Sequence, residues 1–239
     1  MSDQLKITLI ADIIASRKMK ERGQTQVLLQ SILDFINAKY KDDIETDFTI
    51  TLGDEFQGMV TSVEKAFYFV DLITLQLQLM TKKETGEEIQ LRWGIGIGKL
   101  ATPVQDNGYS IGMDGPAFWH AREAVESVRK HNDYGRLNEK ILTGTEDEHF
   151  YNSIIRIQNV IRNEWTTTQK ETAYSILKAF HYSGWTNQEV KDVLNTDLNQ
   201  HFSDQTISKR IISTNIKQYT SSRQWLAKHI EEWRMTHDN

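Results

Sequence analysis

The chain has 239 residues and a formal net charge of −5, a length that suits one large domain or two small ones. It contains no cysteine, which excludes disulfides, thiolate metal sites and a cysteine nucleophile. The N-terminal residues show no basic stretch followed by an apolar run, and no apolar segment reaches the ~18–20 residues of a membrane span. These features predict a cytoplasmic protein without a signal peptide and without a membrane partner.

Hydrophobic periodicity predicts alternating strands and helices over the first two thirds of the chain. In chain order these are strand 5–11, helix 16–40 capped by Ser16, strand 48–52, strand 55–60, helix 63–80, strand 91–98, helix 116–129, strand 140–143 and helix 146–162. The first six elements have the split β-α-β order of ferredoxin-like folds. The predicted fold class is therefore α+β, with an antiparallel sheet.

Two carboxylates lie at predicted strand ends. Asp12 ends the first strand, and Asp54 lies in the turn between the second and third strands. The first strand and this hairpin are neighbours in the ferredoxin-like topology, so the two carboxylates are expected to meet at one edge of the sheet. Carboxylates together with substrate phosphates are the usual ligands of Mg²⁺.

The segment after Asp12 leads into the predicted helix start at Ser16, where backbone N–H groups favour a phosphate. The residues expected to contact it are Ile13, Ile14, Ala15, Ser16, Arg17 and, from the fourth strand, Arg92. The pattern predicts a metal–triphosphate site holding Mg²⁺ or Mn²⁺. The alternative is structural, since Gly53-Asp54 is an ordinary hairpin turn, Ser16 an ordinary cap and Arg92 an ordinary surface ion-pair residue.

Gly94, Gly96 and Gly98 occupy alternate positions of the fourth strand. One face of this strand is therefore bare backbone, which either a helix or a ligand approaches closely. Close helix packing is the favoured interpretation, because it needs no ligand.

Four sequence blocks resemble a known family: A-D-I-I-x-S-R, T-L-G-D-E-F-Q-G, R-W-G-I-G-I-G and S-I-G-M-D-G-P-A-F-W-x-A-R. Together they resemble the SatD family and, more distantly, class III nucleotidyl cyclases and GGDEF-type cyclases. The resemblance implies Asp12 and Asp54 as metal ligands and catalytic residues, with assistance from the Ile13 carbonyl. It implies Glu55 as an additional ligand and Arg122 as a catalytic residue.

Two positions depart from the cyclase pattern. Ile50 stands where the cyclases carry a base-selecting lysine, and Phe118 stands where they carry an asparagine that steadies the ribose. Loss of a group that stabilises developing charge typically costs ~10²–10³ in rate. The resemblance therefore implies metal and phosphate binding rather than cyclisation.

The composition changes near residue 165. Residues 1–164 carry 19 Lys+Arg and 25 Asp+Glu, and residues 165–239 carry 9 and 8. Twelve of the 13 glycines also lie in the first part. The sequence predicts two domains with these bounds, a cyclase-like α/β domain over 1–164 and a helix-turn-helix domain over 165–239.

In the second part, helix 187–194 is followed by a connector, 195–202, and by a helix over 204–219 with an inner stripe of Ile207, Ile211, Ile212 and Ile216. This arrangement resembles winged or sigma-like DNA-binding domains. The candidate DNA-binding residues are Gln205, Thr206, Ser208, Lys209, Arg210 and Lys217. With Arg223 counted, residues 203–224 carry a local net charge of +3, which predicts contact with double-stranded DNA. A solvated face of a helical docking domain is the alternative.

A final amphipathic helix around Trp225 and Ile230 is expected to close this domain or to form the seam of a homodimer. Taken together, the sequence predicts a cytoplasmic DNA-binding regulator with a metal-dependent nucleotide-binding domain. One alternative is an active nucleotidyl cyclase or nucleotidyltransferase. Another is a non-catalytic dimeric scaffold.

Overall fold

The computed structural model describes residues 4–104, 108–131 and 134–237. The five strands of this part are β1 (Lys6–Ile13), β2 (Ile44–Leu52), β3 (Glu55–Val60), β4 (Leu91–Gly98) and β5 (Glu139–Leu142). Its eight α-helices are α1 (Arg22–Lys39), α2 (Val63–Thr85), α3 (Pro116–Lys130), α4 (Glu148–Asn163), α5 (Thr167–Phe180), α6 (Asn187–Leu198), α7 (Asp204–Thr214) and α8 (Ile216–Thr236). None of these helices is long and apolar enough to cross a lipid bilayer.

The strands form one sheet in the order β2-β3-β1-β4-β5. Strand β1 runs antiparallel to both β3 and β4, and β5 is added parallel to β4. The order of the first four strands is that of the predicted ferredoxin-like fold. The α+β class is therefore confirmed.

Helices cover both faces of the sheet. Successive residues of a strand point to opposite sides, so one strand can contact helices on both faces. Leu9 and Ala11 of β1 belong to the large core that includes residues of α1 and α2. Ile10 instead packs against Ala121 and Val125 of α3. Helix α3 therefore lies on the face of the sheet opposite to α1 and α2.

The start of α1 differs from the prediction. Ser16 belongs to a short 3-10 helix (Ser16–Lys18), and α1 begins only at Arg22. Ser16 is therefore not the cap of α1, and no long helix begins directly after Asp12. By contrast, α2 has a side-chain cap, since the Ser62 side chain accepts a hydrogen bond from the Lys65 N–H.

The C-terminal helices also differ in detail. Helix α6 continues to Leu198, and the predicted helix 204–219 is divided at Asn215, which adopts a left-handed conformation with φ 50°. Residues 164–237 are all described and contain helices but no strand. The winged variant of the predicted domain is therefore wrong.

The helices α5–α8 pack against the rest of the protein through one continuous core. This core includes Trp93 of β4, Leu177 of α5 and Ile230 of α8, and α2 contacts both α5 and α8. The predicted boundary at residues 164 and 165 falls between α4 and α5, yet the core crosses it without interruption. The division into two domains stays a prediction.

Ion pairs inside this core join α2, β5, α4 and α8. Arg223 binds Glu139 with two nitrogens, at 2.6 and 2.8 Å, and binds Asp71 at 2.8 and 3.2 Å. Arg162 donates to Asp71 at 2.7 Å. The four charged side chains are 0–1% exposed. The network is therefore shielded from water.

Asp71 is the carboxylate with the largest number of partners in this network. Besides the two arginines, it accepts hydrogen bonds from the hydroxyls of Tyr182, at 2.7 Å, and Tyr219, at 2.6 Å. Burial by itself raises the pKa of Asp71, but Arg223 and Arg162 more than compensate and hold this pKa below its usual value. Such a carboxylate stabilises the folded state above its unfolded-state pKa, and this contribution is lost on acidification.

We expect Arg223→Met to lower the free energy of unfolding by about 3–5 kcal/mol, because it leaves buried carboxylates with too little positive charge. The loss should be largest near neutral pH and smaller at about pH 5, since protonation relieves a buried carboxylate that lacks a partner. Urea unfolding at both pH values measures it. Lys228→Met on the same helix is the control: Lys228 is 60% exposed, and its loss should cost less than about 1 kcal/mol. Equal effects of the two substitutions would contradict the prediction.

Candidate functional site

The predicted site residues meet where β1, β3 and β4 come together. Asp12 lies directly opposite Glu55 of β3 and Arg92 of β4. Residues directly opposite each other on paired strands point to the same side of a sheet. This is the side that carries α3, because Ile10, two residues before Asp12, packs on that helix.

Asp12 is held by two arginines. Nη1 of Arg92 donates to both carboxylate oxygens, at 2.8 and 2.9 Å, and Asp12 and Arg92 are only 5% and 8% exposed. Nη2 of Arg129, from the last turn of α3, donates to Oδ2 of Asp12. This hydrogen bond raises the pKa of Arg129 above its usual value. Arg92 is therefore part of a buried ion pair rather than of a surface salt bridge.

Glu55 is held by the third arginine. Both terminal nitrogens of Arg122 bind its two carboxylate oxygens, one of them at 2.8 Å. The hydrogen bond to Glu55 raises the pKa of Arg122. The side chains of Arg122 and Arg129 are 43% and 57% exposed. Helix α3 thus places two guanidinium groups at the edge of the sheet, within reach of solvent.

Asp54 binds the loop that follows β1. The Ser16 hydroxyl donates to Oδ2 of Asp54, and the N–H of Ile13 donates to the Asp54 carbonyl at 3.0 Å. Asp12 and Asp54 therefore lie on neighbouring segments, but their carboxylates bind different partners, and their meeting in one metal site stays a prediction. The same contacts show what Ser16 does instead of capping α1.

The backbone of this loop has a conformation suited to an anion. Ala15 is left-handed, with φ 57° and ψ 28°, and a right-handed 3-10 turn begins at Ser16. Such a succession turns consecutive N–H groups toward one concavity. The N–H groups of Ile13 and Ile14 already bind the carbonyls of Asp54 and Gln90. The predicted phosphate contacts are therefore reduced to Ala15, Ser16 and the exposed side chain of Arg17.

The carboxylates as arranged do not fit a divalent metal ion. Both oxygens of Asp12 and both oxygens of Glu55 accept hydrogen bonds from guanidinium groups, and one oxygen of Asp54 accepts from Ser16. Within the described residues, no three His, Asp or Glu side chains are grouped so that they could hold a metal. The expectation of Mg²⁺ or Mn²⁺ stays a prediction, and this arrangement of charges speaks against it.

The glycines of β4 bring α3 close to the sheet. A Cβ atom added to Gly94 would lie 2.1 Å from the Ala121 carbonyl oxygen, and one added to Gly96 would lie 2.1 Å from that of Ala117. Close helix packing is therefore confirmed over ligand approach. This close packing of α3 also fixes the distance of Arg122 from the sheet.

The two positions that depart from the cyclase pattern are occupied by core side chains. Ile50 packs against the main core, and Phe118 is buried beside Met59 and Met113. Neither side chain offers a hydrogen bond to a base or a ribose.

Sequence reasoning missed Arg129. The available signal was its distance of seven residues from Arg122, which places both side chains on one face of a helix. The sequence also pointed to Asp54 as the partner of Asp12, whereas Glu55 is the residue that lies opposite Asp12.

The candidate DNA-binding residues fall into two groups. Gln205 and Lys209 are exposed on α7. Thr206 forms a hydrogen bond with Ser203 in the first turn of α7, and Ser208 accepts one from Asn187 of α6.

Two candidate cations are placed differently from the prediction. Arg210 is half-buried, donates to Thr172 at 3.0 Å and lies over the Phe202 ring. Lys217 belongs to α8 and lies over the ring of Trp185. Arg223 is fully buried and is not available to DNA, so the predicted local charge of +3 overstates the charge of this surface.

One hydrophobic position of this region is corrected, and one of the two alternatives for the last helix is favoured. Ile212 was expected in the inner stripe of the helix but is 74% exposed. Leu226 and Ile230 of α8 are buried in the core of the same chain. Helix α8 therefore closes the protein, and these two residues are not available for a dimer seam.

Comparison with known proteins identifies the family of this chain. A model of the SatD family matches residues 6–230. The chain belongs to the SatD family. A search of curated proteins finds no match.

Two solved structures are similar to part of this SatD-family protein. One is the non-canonical dimeric guanylyl cyclase domain of the RhoGC fusion protein from the aquatic fungus Blastocladiella emersonii, with 21% identity and a TM-score of 0.39, covering 52% of this chain and 74% of that one. The other is the catalytic core of a rhodopsin-guanylyl cyclase with converted specificity in complex with ATPαS, with 20% identity and a TM-score of 0.37, covering 52% and 72%. The assignment of the fold rests on the strand order.

We expect Gly96→Ala to destabilise the protein by about 1–3 kcal/mol, because the new methyl group would overlap the α3 backbone. The displaced helix should also loosen the contacts of Arg122 and Arg129 with the sheet. Gly23→Ala is the matched control. Nothing lies within 4 Å of a Cβ atom added there, and alanine in α1 should be neutral or stabilising by up to ~1 kcal/mol. Thermal unfolding distinguishes the two, and a neutral Gly96→Ala would contradict the packing described.

Proposed function

We propose that this SatD-family protein binds a nucleotide through its phosphates at the edge formed by Asp12, Glu55 and Arg92, and that it acts as a sensor rather than as a cyclase. The observation that carries the proposal is the convergence of Arg92, Arg122 and Arg129 on this edge. Arginine is well suited to phosphate, because its planar fork makes bidentate, charge-assisted hydrogen bonds.

The loop after β1 supports the same ligand. The left-handed Ala15 and the turn at Ser16 form a backbone concavity for an anion, and Arg17 adds positive charge beside it. The sequence resemblance to nucleotidyl cyclases covers these same residues.

The side chains at the two positions that differ from the cyclase pattern agree with nucleotide binding without cyclisation. Ile50 is apolar and half-buried against the main core, and Phe118 is apolar and buried, so neither offers a hydrogen bond that could select a base or steady the transition state. The rival function is an active nucleotidyl cyclase or nucleotidyltransferase. Incubation with each nucleoside triphosphate and either Mg²⁺ or Mn²⁺, followed by chromatography, should yield no cyclic or transferred product.

ATP or GTP should raise the melting temperature by several degrees, since a ligand at ~100 times its dissociation constant stabilises the folded state by ~2.7 kcal/mol. Arg122→Gln should weaken binding about 10-fold or more, because a charge-assisted hydrogen bond contributes ~1.5–3 kcal/mol. Arg136→Gln, the same change of charge at an exposed loop residue, is the control. Equal binding by both variants would place the ligand elsewhere. Failure of every nucleotide to bind would leave the non-catalytic scaffold as the better description.

A second function, binding of double-stranded DNA, is favoured by one feature of α6 and α7. These helices are joined by residues 199–203, and the first half of α7 exposes Gln205 and Lys209. Polar side chains at the start of the second helix are the ones that contact bases and phosphates in helix-turn-helix proteins. We propose that α7 contacts DNA weakly by itself, and that a homodimer supplies a second helix for a two-fold site.

Fluorescence anisotropy with a DNA duplex at ~50 and ~200 mM salt tests this function. Lys209→Gln should weaken binding and reduce the slope of log affinity against log salt by about 1, the value expected for one lost phosphate contact. Lys83→Gln on α2 is the control and should behave as wild type. No binding at the lower salt concentration would rule the function out.

A further inference from the structure

We infer that the nucleotide-binding edge neutralises the ligand's phosphates with the guanidinium groups of Arg122 and Arg129, and that it needs no divalent cation. This inference rests on the proposed nucleotide binding and identifies the source of the positive charge. It departs from the expectation that the sequence resemblance creates for Asp12 and Asp54.

The charged groups already present at the edge disfavour a divalent cation. Asp12 and Glu55 are paired with three guanidinium groups, those of Arg92, Arg122 and Arg129. A divalent cation at Asp12 would stand beside two guanidinium groups and be repelled by both. A polyphosphate would complement the same cluster.

The arginines also retain N–H donors that a phosphate could use. A guanidinium group offers five N–H donors. In the described part of the chain, Arg129 uses Nη2 for its contact with Asp12, and Arg122 uses its two terminal nitrogens for Glu55. Donors therefore remain for phosphate oxygens before any ion pair is broken.

Exposure assigns different roles to the three arginines. The Arg92 side chain is 10% exposed, against 43% and 57% for Arg122 and Arg129. Arg92 can keep Asp12 neutral while Arg129 turns toward a ligand, so that no buried carboxylate is left without a partner. Arg122 and Arg129 are the residues that bind the phosphates, and Arg92 is the residue that positions Asp12.

A guanidinium site and a metal site respond oppositely to neutralisation of a carboxylate. A metal site loses affinity when a carboxylate ligand becomes an amide. A guanidinium site gains affinity, because an arginine is released from its ion pair. Glu55→Gln is the better substitution for this comparison, since it releases the half-exposed Arg122, whereas Asp12→Asn would leave the buried Arg92 without a counter-ion.

The experiment is isothermal titration of the full chain with ATP, with GTP and with inorganic tripolyphosphate, once in EDTA and once in excess Mg²⁺. We expect binding in EDTA to be at least as tight as in Mg²⁺. Glu55→Gln should tighten it by a few-fold, and Arg129→Gln should weaken it by 10-fold or more, on the order expected for a lost charge-assisted hydrogen bond. Lys130→Gln, the neighbouring residue with the same charge, should bind as wild type.

The outcomes separate this inference from the proposed function. Binding that requires Mg²⁺, or that is lost in a folded Glu55→Gln variant, would overturn the inference and leave nucleotide binding intact. Absence of binding by all three ligands under both conditions would overturn nucleotide binding itself. Circular dichroism checks that each variant is folded. If Glu55→Gln does not fold, the Arg129→Gln titration in EDTA decides the question.

Discussion

The buried ion pairs of Asp71 with Arg162 and Arg223 are the interaction on which the arrangement of this protein depends. A carboxylate removed from water is costly unless it finds charged partners and hydrogen bonds. Asp71 obtains both, since two arginines and the hydroxyls of Tyr182 and Tyr219 converge on it. Its partners come from α4, α8 and the segment after α5, so satisfying one side chain of α2 fixes the positions of three separate parts of the chain.

The same network reaches the strand that carries the candidate site. Glu139, the second acid bound by Arg223, lies opposite Trp93 in the pairing of β4 with β5. Trp93 directly follows Arg92, which binds Asp12 on the other face of the sheet. The edge of the sheet and helix α8 are therefore connected through one strand and one ion pair. If the proposed ligand binds at this edge, β4 and this ion pair connect it to α8.

Much of the fold could be predicted because its signals are local. Alternation of apolar residues marks the strands, Ser62 caps α2, and the glycines at 94 and 96 indicate where a helix approaches the sheet. The predicted pairing of Asp12 with Asp54 was one residue off, since Glu55 is the residue that lies opposite Asp12. The errors lie where a local signal has a non-local competitor: Ser16 binds Asp54 rather than starting a helix, and Arg223 is drawn into the core by Asp71 and Glu139.

The sequence by itself determined the order of the first four strands, the carboxylates at the strand ends and the family resemblance, since each depends on residue types in a short window or on a regular spacing. Tertiary structure decided the charge state of that edge and the role of the basic C-terminal residues. Arg129 and Asp12 are 117 positions apart and Arg223 and Asp71 are 152 apart, and no pattern along the chain joins them. They meet because buried charge must be compensated by whichever opposite charge the packing brings near.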